Sequence, residues 1–143
     1  MCGIAASIGR SPAGRIASLT AALAHRGPDG MGTWAAPDGS VALGHARLAI
    51  MDPLPRSDQP FHRGPLCVVY NGELYNLREL RTQLEAIGET FTTTGDTEVV
   101  AAALARWGPR AFERFDGMFA LVAFDQRDRS VLTARDRYGI KPL

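Results

Sequence analysis

Leu66-Cys67-Val68-Val69-Tyr70-Asn71-Gly72-Glu73-Leu74-Tyr75-Asn76-Leu77 opens as an apolar run, Leu66 to Tyr70, and breaks at Asn71-Gly72. Such a run suits a buried strand, and Asn-Gly after it is a common hairpin turn. A hairpin needs a second strand next. Instead Leu77, Leu80, Leu84 and Ile87 follow at spacings that place them on one helical face, with Gly88 as the stop. Strands at both ends of the chain, helices between them and at least one hairpin point to stacked layers of mixed sheet and helix, not to a purely parallel wound sheet.

Upstream, Cys2 to Ile8 reads as a short buried strand, and Ile16, Leu19, Ala22 and Leu23 recur at helical spacing between Gly14 and Gly27. From Met31 to Ile50 two apolar stretches flank the turn Pro37-Asp38-Gly39-Ser40, an antiparallel hairpin. Asp52 to Pro65 carries Pro53, Pro55, Pro60 and Pro65 among polar residues, so an irregular surface loop is expected there. Downstream, Asp96 or Thr97 can cap a helix from Glu98 through Trp107. Gly108-Pro109 separates it from a shorter helix around Phe112 and Phe115. Strands Met118 to Phe124 and Ser130 to Ala134 follow, joined by the charged turn Asp125 to Arg129. The tetrapeptide His-Arg-Gly-Pro occurs at His25 and at His62, but the flanking residues do not match, so it is no repeat.

The 143 residues are 45% hydrophobic and 22% charged, enough to bury one core, and one domain over 1–143 is the expectation. A formal charge of +1 provides no surplus to attract a nucleic-acid backbone or an anionic membrane. No apolar run approaches a membrane span, and the first residues lack the pattern of a secretory signal, so a cytoplasmic setting is expected. Cys2 and Cys67 are the two cysteines, too few for a disulfide framework or a metal knuckle. Gly-x-Gly-x-x-Gly and the Lys-Ser/Thr phosphate-cradle pattern are both missing.

The chemistry begins at Met1-Cys2-Gly3. A small residue at position 2 permits removal of the initiator Met, leaving Cys2 with a free amine and a thiol. An α-amine titrates at about 7.7 to 8.0 and a thiol at about 8.5, so near neutral pH the amine can take the thiol proton. Nucleophile and base then lie in one residue. The Asn71 amide beside the Gly72 N–H forms a donor pair of the kind that stabilises a tetrahedral oxyanion, and Gly lets the backbone come close. Arg47, alone among the apolar residues of Gly44-His45-Ala46-Arg47-Leu48-Ala49-Ile50, needs a carboxylate partner, from the protein or from a ligand. Asp96 at a helix start can satisfy free N–H groups as a cap, and it also offers a charge opposite to that of Arg47. Together Arg47, Glu73 and Asp96 could grip the two charged ends of a free amino acid while Cys2 faces its side-chain amide, a glutamine site in outline.

Met-Cys-Gly-Ile at the start, His25-Arg26-Gly27-Pro28-Asp29, Gly-His-Ala-Arg-Leu-Ala-Ile, Tyr-Asn-Gly-Glu-Leu-Tyr-Asn, Gly-Asp-Thr-Glu-Val-Val and Asp-Gly-Met-Phe-Ala-Leu fall in one order. In this order the chain, to its end at Arg135-Asp136-Arg137-Tyr138-Gly139-Ile140-Lys141-Pro142-Leu143, resembles the amidotransferase domain of the asparagine synthetase family. The resemblance implies an α+β N-terminal-nucleophile hydrolase fold, a four-layer αββα sandwich of two antiparallel sheets. It implies that Cys2 attacks the glutamine amide, Asn71 and Gly72 form the oxyanion hole, Arg47 holds the substrate carboxylate, and Glu73 and Asp96 hold the α-amine. Ile50 and Met51 would line the pocket through their backbone. A thioester forms, ammonia leaves through a tunnel to an ATP-using synthetase domain, and water releases glutamate. No cofactor is implied for this domain; ATP and Mg belong to the synthetase domain, of which this chain carries no part. The partners implied are L-glutamine and that synthetase domain, and a homodimer is compatible.

Two departures stand out. Gly95 precedes Asp96 where relatives often carry Ser. The family domain also continues past Gly-Ile-Lys-Pro-Leu, so the sandwich is expected to be truncated at its C-terminal end, with an open sheet edge that invites association. Rival readings are the amidotransferase part of a phosphoribosylamine- or glucosamine-phosphate-forming enzyme, which Arg47-Leu48 and Arg26-Gly27-Pro28-Asp29 fit less well, and a silent amino-acid-binding or docking domain.

Overall fold

The structure is a computed structural model that describes residues 1–9 and 12–143. Strand β1 (Gly3–Ile8) is followed by helix α1 (Ala13–Ala22), the hairpin β2 (Gly30–Ala35) and β3 (Val41–Arg47), and the short strand β4 (Phe61–Arg63). Strand β5 (Leu66–Leu74), helix α2 (Leu77–Ala86), helix α3 (Asp96–Trp107) and strands β6 (Gly117–Asp125) and β7 (Ser130–Arg135) complete it. Two antiparallel sheets result, with orders β1-β3-β2 and β4-β5-β6-β7.

Strand alternation sorts the side chains into layers. Val41 and Leu43 of β3 meet Cys67 and Val69 of β5 in a core between the sheets, joined by Ile4 and Ala6 of β1. The opposite face of β5, with Leu66, Val68, Tyr70 and Leu74, packs on α2 and α3. Helix α1 covers the outside of the first sheet, so the order is α1, sheet, sheet, α2 with α3, the expected αββα sandwich. Burying Leu80 and Leu84 of α2 contributes about 1.5–3 kcal/mol each.

Several expected boundaries move. Strand β5 does not end at Asn71-Gly72 but runs through them to Leu74, because nine consecutive pairs to β6 hold it extended, from Leu66↔Asp125 to Leu74↔Gly117. Helix α3 starts at Asp96, with Gly95 as its cap and no side-chain cap bond, so neither Asp96 nor Thr97 caps it. Gly108–Glu113 is a 3₁₀ segment that stops short of Phe115. In α1 only Ile16 and Thr20 are buried while Leu19 is exposed, since the sheet covers a narrower stripe than the apolar spacing suggests. The expected surface loop from Asp52 to Pro65 contains a 3₁₀ turn (Pro55–Ser57) and β4, and Asp52, Ser57 and Gln59 are buried.

Candidate active site

Cys2 precedes β1 on the same inward-facing set as Ile4 and Ala6. On β3 the inward set is Val41, Leu43, His45 and Arg47; on β5 it is Cys67, Val69, Asn71 and Glu73. Each set turns from apolar to polar toward the same end of the sandwich. There Cys2, Arg47, Ile50, Met51, Asn71, Gly72, Glu73 and Asp96, all eight residues singled out in the sequence, line one cavity of about 320 Å³.

The Cys2 Sγ rests on the backbone of Leu48, accepting from its N–H at 3.3 Å with its carbonyl at 3.6 Å. Gly72 lies on the open side of β5. Gln59 takes both backbone groups of Tyr70, accepting from its N–H at 2.6 Å and donating to its carbonyl at 3.1 Å, and the Leu74 N–H reaches Asp96 Oδ2 at 3.4 Å. Backbone direction repeats every second residue, so the Gly72 N–H between them points the same way, away from β6. A side chain at Gly72 would come within 2.7 Å of Phe119 Cβ and of the Tyr70 ring, so its missing Cβ serves packing on the helix side as well as access.

The Arg47 guanidinium is not free. It donates to Asp58 Oδ1 at 2.6 Å, to the Asp52 carbonyl at 2.6 Å and, at 3.5 Å, to the Pro53 carbonyl, which aims the fork; of its five N–H donors some remain. Asp52 is itself tied down, accepting from the Thr94 N–H at 2.6 Å and from Arg56 Nε at 3.0 Å. The Thr94 N–H is the main cause holding its carboxyl well below the usual range, against the opposing effect of burial. Asp96 Oδ2 accepts from the Tyr70 hydroxyl at 3.1 Å, yet burial outweighs these bonds and pushes its carboxyl up to about 6. Glu73 is exposed at the cavity rim. Among the described residues no group of three His, Cys, Asp or Glu side chains is placed to hold a metal ion, and no helix is long and apolar enough to cross a membrane.

Gln59, His45 and Lys141 are among the lining residues that had no assigned role in the sequence reading. Gln59 sat in the presumed surface loop. His45 is 1% exposed with Nε2 unpartnered, and burial, then the Arg47 charge, pull its imidazole down to about 4. Its place two residues before Arg47 on an alternating strand was the available signal. Lys141 is buried and donates to the Met1 thioether at 3.0 Å. A second, mainly apolar cavity of about 430 Å³ shares Cys2 and Asn71 as walls and continues past Ile4, Ala6, Leu23 and Val122.

A family model described as a glutamine amidotransferase domain matches residues 1–143. The chain is 39% identical over 163 aligned positions to a putative glutamine-hydrolysing asparagine synthetase of Mycobacterium tuberculosis, covering all of this chain and 25% of that protein. To a glutamine-hydrolysing asparagine synthetase of Oryza sativa it is 41% identical over 150 positions, covering all of this chain and 24% of that one. The glutamine phosphoribosylpyrophosphate amidotransferase of B. subtilis superposes with a TM-score of 0.78 at 24% identity, over 98% of this chain and 38% of that structure, a likeness of fold. The chain spans about a quarter of the length of the curated relatives.

Proposed function

Since the chain belongs to the glutamine amidotransferase domain family, we propose that it hydrolyses glutamine to glutamate and ammonia with Cys2 as nucleophile, supplying the ammonia to an ATP-dependent synthetase of the asparagine-forming type. The observation that carries this reading is the meeting of Cys2, Arg47, Asn71, Glu73 and Asp96 on one cavity at the end of the inter-sheet layer. Its volume is at the small end of the roughly 300–1,000 Å³ of ligand sites, in keeping with a free amino acid.

With Met1 removed, the Cys2 amine takes the thiol proton and Sγ attacks the side-chain carbonyl carbon of glutamine. Negative charge develops on the amide oxygen, where the Gly72 N–H and the Asn71 amide receive it. The amine returns the proton to the leaving nitrogen, ammonia departs and a thioester remains. Water then cleaves the thioester to glutamate. Arg47 uses its remaining N–H donors on the α-carboxylate, while Glu73 and Asp96 hold the α-ammonium; the Ile50 and Met51 backbone closes the wall. The apolar cavity beyond Cys2 and Asn71 has few groups to retain ammonia and is its exit. The hydrolysis uses side chains and backbone alone; ATP and Mg belong to the synthetase.

Cys2→Ala in the full-length protein should abolish glutamate release from glutamine while ammonia-dependent synthesis persists. Unchanged glutaminase activity would refute the assignment. A second reading has support from Met1, which lines the cavity and contacts Lys141. Retained, it would make the domain a silent binding or docking module, and the intact mass of the native protein separates the two.

A further inference from the structure

The segment Asp136 to Lys141 has no part in the reaction described above, yet it is built with unusual economy. The two oxygens of Asp136 accept four backbone N–H groups: Oδ1 those of Tyr138 at 3.1 Å and Ile140 at 2.9 Å, Oδ2 those of Phe119 at 3.2 Å and Lys141 at 3.0 Å. Burial works against the ionised carboxyl, and these N–H groups prevail, holding it at about 2. Arg135 closes the turn by donating to the Gly139 carbonyl at 2.6 Å; Gly139 has φ +65°, and any Cβ there would run into the Arg135 guanidinium. The knot is tied to Phe119, the register partner of Gly72. Its product is the fixed position of one side chain.

That side chain belongs to Lys141, the only lysine of the chain. It is 4% exposed and lines the same cavity as Cys2. Its ammonium touches the Met1 thioether, and among the described residues no carboxylate lies within ion-pair distance. Removal of Met1 therefore takes away this contact and leaves the cation facing the cavity. A charge withdrawn from water is costly unless an anion meets it.

We propose that Lys141 is a further residue of the reaction centre, whose ammonium, released from Met1, faces Cys2 and stabilises the thiolate that attacks the substrate amide. This rests on the amidotransferase reading above. The proton leaves Sγ for the Cys2 amine, as before, and no additional reactant enters. The other charged or titratable groups on the cavity do not substitute for it. On β3, Arg47 is paired with Asp58 and His45 is held uncharged by burial; β5 contributes Tyr70 and the Glu73 carboxylate; α3 contributes Asp96. Without Lys141 the side-chain charges on the cavity are negative in surplus, and among the described residues the Cys2 ammonium formed by the proton transfer is the one unpaired cation left to offset the thiolate.

The test uses the full-length protein after intact mass has shown that Met1 is gone, in a Cys67→Ala background so that one domain thiol remains. Rates of iodoacetamide alkylation of Cys2 and kcat/KM for glutamine are followed against pH in wild type, Lys141→Met and Lys141→Arg, with Lys141→Gln replacing the Met variant if that does not fold. A cation a few ångströms from a thiol shifts its ionisation by about one pH unit or more. Loss of the charge should move the acid limb of both profiles upward by about one unit and slow alkylation about tenfold at pH 7. Arg should restore the limb, and KM should change little. An unmoved alkylation limb, or a change in KM alone, would overturn the proposal, the latter by giving Lys141 to the substrate carboxylate. Failure of the amidotransferase reading is distinguishable: wild type would then release no glutamate from glutamine, or Cys2→Ala would release it equally fast, while alkylation of Cys2 in the Lys141 variants reads the charge effect by itself.

Discussion

Asp96 is 7% exposed at the first turn of α3, and its carboxyl is pushed by burial from 3.8 up to about 6. Between those values the native state binds more protons at this group than the unfolded chain, so its contribution to stability falls as pH rises from about 4 to about 6. The difference is on the order of 3 kcal/mol. An incoming ammonium would relieve the same penalty, so the residue sets binding against folding. Asp96→Asn should therefore be more stable relative to wild type at pH 7 than at pH 4, by calorimetry, while its KM for glutamine rises at least about tenfold. A stability difference independent of pH would contradict the burial argument. At this scale the sequence was informative: the chemically unusual residues, Cys2, Arg47, Asn71, Glu73 and Asp96, stood out by type and position. It did not reveal that Arg47 is half committed to Asp52 and Asp58, because those bonds depend on where a proline-rich segment folds back.

That segment, Asp52 to Arg63, is where element-level reading failed. Four prolines between Asp52 and Pro65 argued against regular structure, correctly for most of it, but irregular backbone is not the same as exposed backbone. Gln59 satisfies Tyr70 in place of a neighbouring strand, and Asp52 anchors Thr94 and Arg56, so the segment becomes a wall of the cavity. Asp52→Ala leaves the part-buried Thr94 N–H without its acceptor and should cost about 1 kcal/mol in urea unfolding. It should also raise KM, as the carbonyl that aims Arg47 loosens, with kcat changed less. The end of β5 failed for a related reason. Asn71-Gly72 has turn propensity, but pairing along β6 overrides it, and the extended conformation is what points the Gly72 N–H to the open side.

Across the whole molecule the two thiols separate by layer. Cys67 is 0% exposed in the inter-sheet core, and burial pushes its thiol up to about 12, whereas Cys2 is partly exposed at the end of that same layer. Native protein should react with a thiol reagent at Cys2 alone within this domain, and at both cysteines in denaturant. Cys67→Ala should leave turnover intact and cost on the order of 1 kcal/mol from the small cavity created. Apart from β4, the order of strands and helices, the β2–β3 hairpin, and the α2 stripe of Leu80 and Leu84, though not the exposed Ile87, could be read along the chain, because period and turn chemistry are local properties. Only the tertiary structure decided that β3 lies between β1 and β2 and that β5 stacks across from it, bringing residues 2, 47, 71 and 96 to one cavity. Strand register and sheet stacking arise from pairing between segments tens of residues apart, and no local pattern encodes which partner each strand will find.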